Sequence, residues 1–182
     1  SNKLFIELKK NNNIIQIDHK IKLEEVKKFD LIISFGYRHI IKKNITDYFK
    51  NKIINLHISY LPYNRGADPN LWSIITGTPS GVTIHLMDES LDTGDIIVQE
   101  KVNLDYENDT LKTSYNKLQN KIIELFLKNF ESIKKNKFKT TKQDNSVMTL
   151  HYLKNRPKNI MPNGWDTKIS IVKELYNKFY NV

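Results

Sequence analysis

The 182-residue sequence contains no cysteine. That absence excludes a disulfide framework, a thiol nucleophile and a thiolate-bound metal, and it fits a protein kept in the cytoplasm. No apolar run approaches the ~18 residues of a membrane-spanning helix, so no membrane partner is expected. The opening residues Ser1-Asn2-Lys3 do not lead into the apolar region of a secretory signal. Hydrophobic residues make up only 39% of the chain, but they come in periodic runs and so suffice for one core. Internal repeats are lacking, and the only low-complexity stretch is the lysine-rich segment 134–142. Charge is unbalanced, with 29 Lys and Arg against 20 Asp and Glu for a net +9. A basic surface can steer phosphates or nucleic acid. However, Lys, Asn and Ile are abundant together, a mix that an AT-rich genome produces without functional pressure. No RNP-like, KH-like or zinc-finger pattern accompanies the charge, and no helix concentrates arginine, so nucleic acid is not the expected partner.

The length is that of one domain. Leu4, Phe5 and Leu8 lie at helical spacing, Ile14–Ile17 reads as a short strand, and Leu23–Phe29 as a brief helix. Leu31–Phe35 is a continuous apolar run, the pattern of a strand buried on both faces. A helix follows over His39–Phe49, with Ile40, Ile41, Ile45 and Tyr48 on one side, and then a buried strand over Ile53–His57. This alternation predicts an α/β fold with a mostly parallel sheet flanked by helices. Pro69–Thr76 reads as a helix opened by proline, and Val82–Met87 and Ile96–Val102 as strands joined by a turn-rich segment. Asp109 and Thr110 are candidate caps for a helix reaching about Lys135, with Leu111, Tyr115, Leu118, Ile122, Phe126 and Phe130 as its apolar stripe. That stripe can face the core or a partner, which leaves a homodimer open. Beyond it come a strand over Val147–Leu153, a loop with Pro157, Pro162 and Gly164, and a terminal helix over Ile169–Phe179. Such a tail is too small to be its own domain.

Polar residues cluster at the predicted strand ends, where open parallel sheets bind ligands. Asn55 and His57 are two apart on one strand and share a face. Ser59 and the loop Asn64-Arg65-Gly66-Ala67-Asp68 follow, and further on His85 precedes a turn crowded by Asp88, Asp92 and Asp95. An amide, an imidazole and a carboxylate at one strand edge suit acyl transfer, because an amide can donate to a developing oxyanion and a carboxylate can move or orient a proton. Hydrogen-bonded strand residues and ordinary turn chemistry would use the same side chains.

Longer motifs add a family resemblance. Asn55-Leu56-His57-Ile58-Ser59-Tyr60-Leu61-Pro62 resembles the Asn-x-His-x-Ser-x-Leu-Pro signature of the formyltransferases that use 10-formyltetrahydrofolate, with Ile58 where the family usually has proline. Gly81 to Ile97 is similar to the family's second block, and Phe35-Gly36-Tyr37-Arg38-His39-Ile40-Ile41 to the loop that holds the pterin ring. The blocks stand in family order and cover roughly residues 29–130.

The resemblance implies a Rossmann-like fold, N10-formyltetrahydrofolate as formyl donor, no metal, and Asn55, His57 and Asp92 as the catalytic set. It implies donor contacts at Phe35, Gly36, Tyr37, Arg38, Ile40, Ile41, Met87 and Asp88. The 63–72 loop looks most like that of nucleotide-sugar N-formyltransferases, so the expected acceptor is a small-molecule amine on a nucleotide-linked amino sugar. Ser59, Asn64, Arg65, Gly66 and Asp68 would line its site, with Arg65 on the diphosphate and Asp68 on a sugar hydroxyl. A glycinamide ribonucleotide acceptor and a non-catalytic folate- or nucleotide-binding relative are the alternatives. On this reading residues 1–135 form the catalytic domain and 136–182 a short extension packed on it. The family's first strand has no counterpart, since the chain opens in what resembles the first helix, and its loss would leave a slot beside the neighbouring strands. The tRNA-binding domain of methionyl-tRNA formyltransferases likewise has no room.

Overall fold

The computed structural model describes residues 2–180. Helix α1 (Asn2–Lys9) buries Leu4 and Leu8, then an extended stretch leads to the short helix α2 (Leu23–Val26) and strand β1 (Ile32–Ser34). Helix α3 (Lys43–Phe49) connects β1 to strand β2 (Ile53–His57). A loop carries the two-residue strand β3 (Arg65–Gly66), followed by helix α4 (Pro69–Thr76). Strands β4 (Gly81–Leu86) and β5 (Ile96–Lys101) precede the long helix α5 (Leu111–Lys134), strand β6 (Leu150–His151) and helix α6 (Ile169–Tyr180). No helix among the described residues is long and apolar enough to cross a membrane.

The main sheet has the order β1-β2-β4-β5, and it is mixed, not mostly parallel. Only β1 and β2 run parallel; β4 is antiparallel to both β2 and β5. The reason lies in the connections. A parallel neighbour requires a crossover that covers the sheet. Here α4 packs instead on α5 and α6, and a turn joins β4 to β5.

Three apolar clusters hold the elements. Ile54 and Leu56 of β2 point with Val82 and Ile84 of β4 toward Leu118, Ile122 and Phe126 of α5. On the opposite face of β2, Ile53 packs with Ile45 and Phe49 of α3. The α4–α6 pair buries Leu71, Ile74, Ile169 and Val172. Because side chains alternate along a strand, Asn55 and His57 share the face of Ile53 and extend beyond the reach of α3. Helix α5 starts where expected, in a reciprocal cap: the Thr113 N–H donates to the Thr110 hydroxyl (3.1 Å) and the Thr110 N–H to the Thr113 hydroxyl (2.8 Å).

Four expectations fail for physical reasons. Ile14–Ile17 is extended but unpaired, since a strand needs a ladder partner, and β1 is only half-buried at Ile32 and Ile33. Between them lies a cavity of about 530 Å³ lined by Leu4, Ile14, Ile17, Ile33 and Phe35. The helix foreseen from His39 starts at Lys43, because the preceding residues are tied to segment 18–21. Tyr37 donates its hydroxyl to the His19 carbonyl (2.9 Å), and the His39 ring lies 3.2 Å from the Asp18 carbonyl. Ile41 and Ile45 are therefore buried while Ile40 and Tyr48 are exposed. In the tail, only Leu150–His151 of the foreseen strand pairs, with β3.

Gly94 closes the turn between β4 and β5, where a Cβ would collide with the Leu86 carbonyl. Gly94→Ala is expected to lower stability by about 1–3 kcal/mol or more through overpacking against backbone that cannot yield. Denaturant unfolding checks this, and a change under 0.5 kcal/mol would contradict the tight approach.

Candidate active site

The register of β2 against β4 sets Asn55 opposite His85 and His57 opposite Thr83. Directly opposed residues share a face, so the two histidines meet on the side away from α5, with rings 6.2 Å apart and edge to face. The turn after β4 then brings Asp92 over them. Asp92 adopts a positive φ of 53°, a left-handed conformation that aspartate tolerates better than most residues.

Asp92 is the hub of the cluster. Asn55 donates its amide N–H to Asp92 Oδ1 at 2.9 Å, and the Gly66 backbone N–H donates to Oδ2 at 2.8 Å. His85 Nε2 lies 3.4 Å from Oδ1 and His57 Nδ1 3.7 Å from Oδ2. All three ionisable side chains are nearly closed to solvent, at 2% exposure for His85, 8% for His57 and 12% for Asp92. The carbonyls at their far nitrogens fix the tautomers, because a carbonyl can only accept. His57 Nε2 therefore donates to the Asn64 carbonyl (3.2 Å), and His85 Nδ1 to the Leu86 carbonyl (2.7 Å). In the tautomers so fixed, His57 Nδ1 and His85 Nε2 face the carboxylate. One added proton has several adjacent sites to occupy.

The electrostatics follow from this packing. Burial works to raise the Asp92 carboxyl, but His57, His85 and the Gly66 amide outweigh it and hold the group well below the usual carboxylate range. Burial pushes His57 below its ordinary 6.5, with Asp92 opposing and His85 adding to the depression. With His57 neutral, the Asn55 and Gly66 N–H donors carry the carboxylate at neutral pH. Folded His57 binds fewer protons than unfolded His57 as pH falls below about 6.5, so the native state must lose stability in that window. The melting temperature of wild type is expected to drop from neutral pH toward pH 5, and His57→Gln to flatten that drop. Equal slopes would contradict the depressed titration.

The other foreseen site residues divide. Ser59 is buried and donates its hydroxyl to the Tyr63 carbonyl (2.7 Å), and fully buried Asn64 donates its amide to Thr78 (2.8 Å). Arg65 is 2% exposed and turned inward, donating to the Gln143 carbonyl oxygen (3.0 and 2.7 Å) and to that of Asn145 (2.8 Å). Asp68 is held by a bidentate pair with Arg156, both contacts 2.7 Å. As they stand, these residues shape the loop; of the set, only Gly66 reaches Asp92.

The foreseen donor residues lie around two different cavities. Phe35, Gly36, Tyr37, Arg38 and Ile41 line the larger one beside β1, while Ile40 is 76% exposed. Met87 and Asp88 line a second cavity of about 440 Å³ with Lys43, Thr46, Gly94 and Lys142, next to the Asp92 turn. The Asp88 carboxylate itself builds that turn, accepting from the Ser90 N–H (3.0 Å) and the Thr93 hydroxyl (2.6 Å).

His85 and Gln143 also belong to the cluster, although the catalytic set implied by the resemblance does not include them. His85 was legible in part: Thr83 and His85 alternate with Val82, Ile84 and Leu86, so they form the polar face of their strand. Gln143 ends a lysine-rich stretch that signals only a boundary.

Residues 6–129 match the formyl transferase family. Methionyl-tRNA formyltransferase from Finegoldia magna is 43% identical over 112 residues, 58% of this chain and 36% of that one. The enzyme of the same name from Fusobacterium nucleatum is 40% identical over 130 residues, 70% of this chain and 42% of that one. The chain thus spans about two fifths of the length of these curated relatives. Among solved structures, the formyltransferase PseJ from Anoxybacillus kamchatkensis superposes with a TM-score of 0.86 and 42% identity, covering 91% of this chain and 89% of that chain. It was crystallised with UDP-4,6-dideoxy-4-formamido-L-AltNAc and tetrahydrofolate.

Proposed function

Because the chain belongs to the formyl transferase family, we propose that it transfers a formyl group from 10-formyltetrahydrofolate to the primary amine of a nucleotide-linked amino sugar. The observation that carries this is the closed cluster in which Asn55, His57 and His85 surround a buried Asp92 carboxylate. The folate supplies the formyl carbon and a nitrogen leaving group. As the acceptor amine bonds to that carbon, its proton passes to the Asp92–His57 pair, whose lone pairs face each other across 3.7 Å. The imidazolium so formed lies against the carboxylate and stays neutralised until the proton is returned to the departing folate nitrogen. Asn55 has one N–H committed to Asp92, while the other makes a long 3.3 Å contact with His85 Nε2. That second N–H is the donor for the developing oxyanion. The cavity bounded by Met87, Asp88 and Gly94 opens beside the Asp92 turn and takes the donor.

The sugar acceptor is supported by likeness to PseJ over most of both chains. The test offers the protein 10-formyltetrahydrofolate with a UDP-linked 4-amino-4,6-dideoxy sugar, or with methionyl-tRNA, and reads a 28 Da gain by mass spectrometry. A formylated sugar is the expected result. A formylated tRNA would overturn the acceptor assignment, and no product from either, together with no calorimetric binding of a stable folate analogue, would overturn the transferase reading. Asn55→Ala is expected to lower the rate about 100- to 1,000-fold, the usual loss for one oxyanion donor.

A further inference from the structure

We propose that Gln143 is a positioning residue for the transfer, one that clamps the Asp92 turn to the Arg65–Gly66 strand. This rests on the formyl-transfer reading above. The Gln143 amide N–H groups donate to the carbonyls of Asp92 (2.9 Å) and Gly94 (2.7 Å). Its oxygen accepts from Arg65 Nε (3.0 Å) and Nη2 (2.7 Å). Both donors and both lone pairs of the amide are thus in use, and no other side chain carries that set at this length.

The two partners converge on one carboxylate. Asp92 is the residue whose backbone carbonyl Gln143 holds, and Gly66, the neighbour of Arg65, donates its N–H to Asp92 Oδ2. Gly66 is fixed from its other side by β6. The Ala67 N–H donates to the His151 carbonyl (2.8 Å), and at φ 87° a Cβ on Gly66 would collide with that same carbonyl. The clamp has to hold a conformation that does not hold itself, since Asp92 sits at a positive φ. It also has to keep an arginine at 2% exposure whose hydrogen-bond partners are neutral amides. Gln143 touches no reacting atom; it acts through the carboxylate.

Gln143→Met keeps the side-chain length and removes all four contacts. Gln143→Glu keeps the acceptors for Arg65 but turns a carboxylate oxygen toward the carbonyls of Asp92 and Gly94. Both are expected to lower kcat about 100-fold, the scale of an ångström-level misplacement, with KM for donor and acceptor within about threefold. In both, the ring-nitrogen NMR signals of His57 and His85 are expected to shift while the melting temperature of Gln143→Glu stays within a few degrees of wild type. If Gln143→Met does not fold, Gln143→Glu carries the test through its retained Arg65 pairing. Unchanged kcat, or a lower kcat with unmoved histidine signals, would overturn the proposal by leaving Gln143 a merely structural role. If the wild type transfers no formyl group, the transferase reading fails by itself. The histidine signals then still decide whether Gln143 orders the cluster.

Discussion

Asp92→Asn is expected to lower kcat by about 100- to 10,000-fold, the range for losing a positioned proton acceptor, with KM values close to wild type. The substitution changes almost no volume, so the loss would report charge and proton capacity, not shape. In the native site the carboxylate accepts on one oxygen from Asn55 and on the other from the Gly66 amide. An asparagine offers one accepting oxygen only, and its NH₂ must face the remaining N–H donor. That leaves a buried donor unsatisfied, at a cost of about 1–3 kcal/mol. The variant should therefore be somewhat less stable, yet fold. It also lacks the negative charge that would neutralise a protonated His57, 3.7 Å away in the native site. Single-turnover formylation read by mass spectrometry, beside a denaturant melt, separates the two effects. A variant within tenfold of the wild-type rate would remove Asp92 from the proton path.

How far the sequence could be read depends on the range of the interactions involved. Local signals were sufficient where one element decides its own limits. Proline at the start of α4 and the Thr110 cap of α5 both fell where the residues put them. The Asn55–His57 pair was legible because a period of two fixes their common face whatever the strand pairs with. Strand direction was not legible, because the path of α4 over α5 and α6 is a tertiary choice that no hydropathy pattern records. For the same reason Ile14–Ile17 looked like a strand, since β propensity describes a residue's fit to a sheet and not the presence of a neighbour. Arg65 gives the clearest case within the site. The resemblance suggested Arg65 as a diphosphate ligand, and nothing local announced that its Nε and Nη2 donate to Gln143 and Asn145, some 80 residues away in sequence. Contacts of that span leave no local mark.

The largest effect on pH dependence is expected at His57. Its neutral form is the active one, ready to take the amine proton at Nδ1 while Nε2 is held by the Asn64 carbonyl. Burial has already moved its titration below 6.5, so the acid limb of kcat/KM in wild type should lie below that value, with activity rising as pH rises. Raising pH removes the proton that blocks Nδ1; lowering it fills the acceptor and stops transfer. Asp92 is not assigned this limb, because its carboxyl is held well below the usual carboxylate range. His57→Gln retains an N–H that can reach the Asn64 carbonyl and preserves much of the packing, but it cannot titrate. Its rate is expected to fall about 100- to 10,000-fold, and the acid limb should vanish from what remains. His85 offers an internal control. It faces the same carboxylate at 3.4 Å but donates its other nitrogen to the carbonyl of its own chain neighbour, Leu86, so His85→Gln should keep the acid limb at a reduced rate. If the limb survives in His57→Gln and vanishes in His85→Gln, the two imidazoles exchange roles, and the proton passes on the β4 side of Asp92 rather than the β2 side.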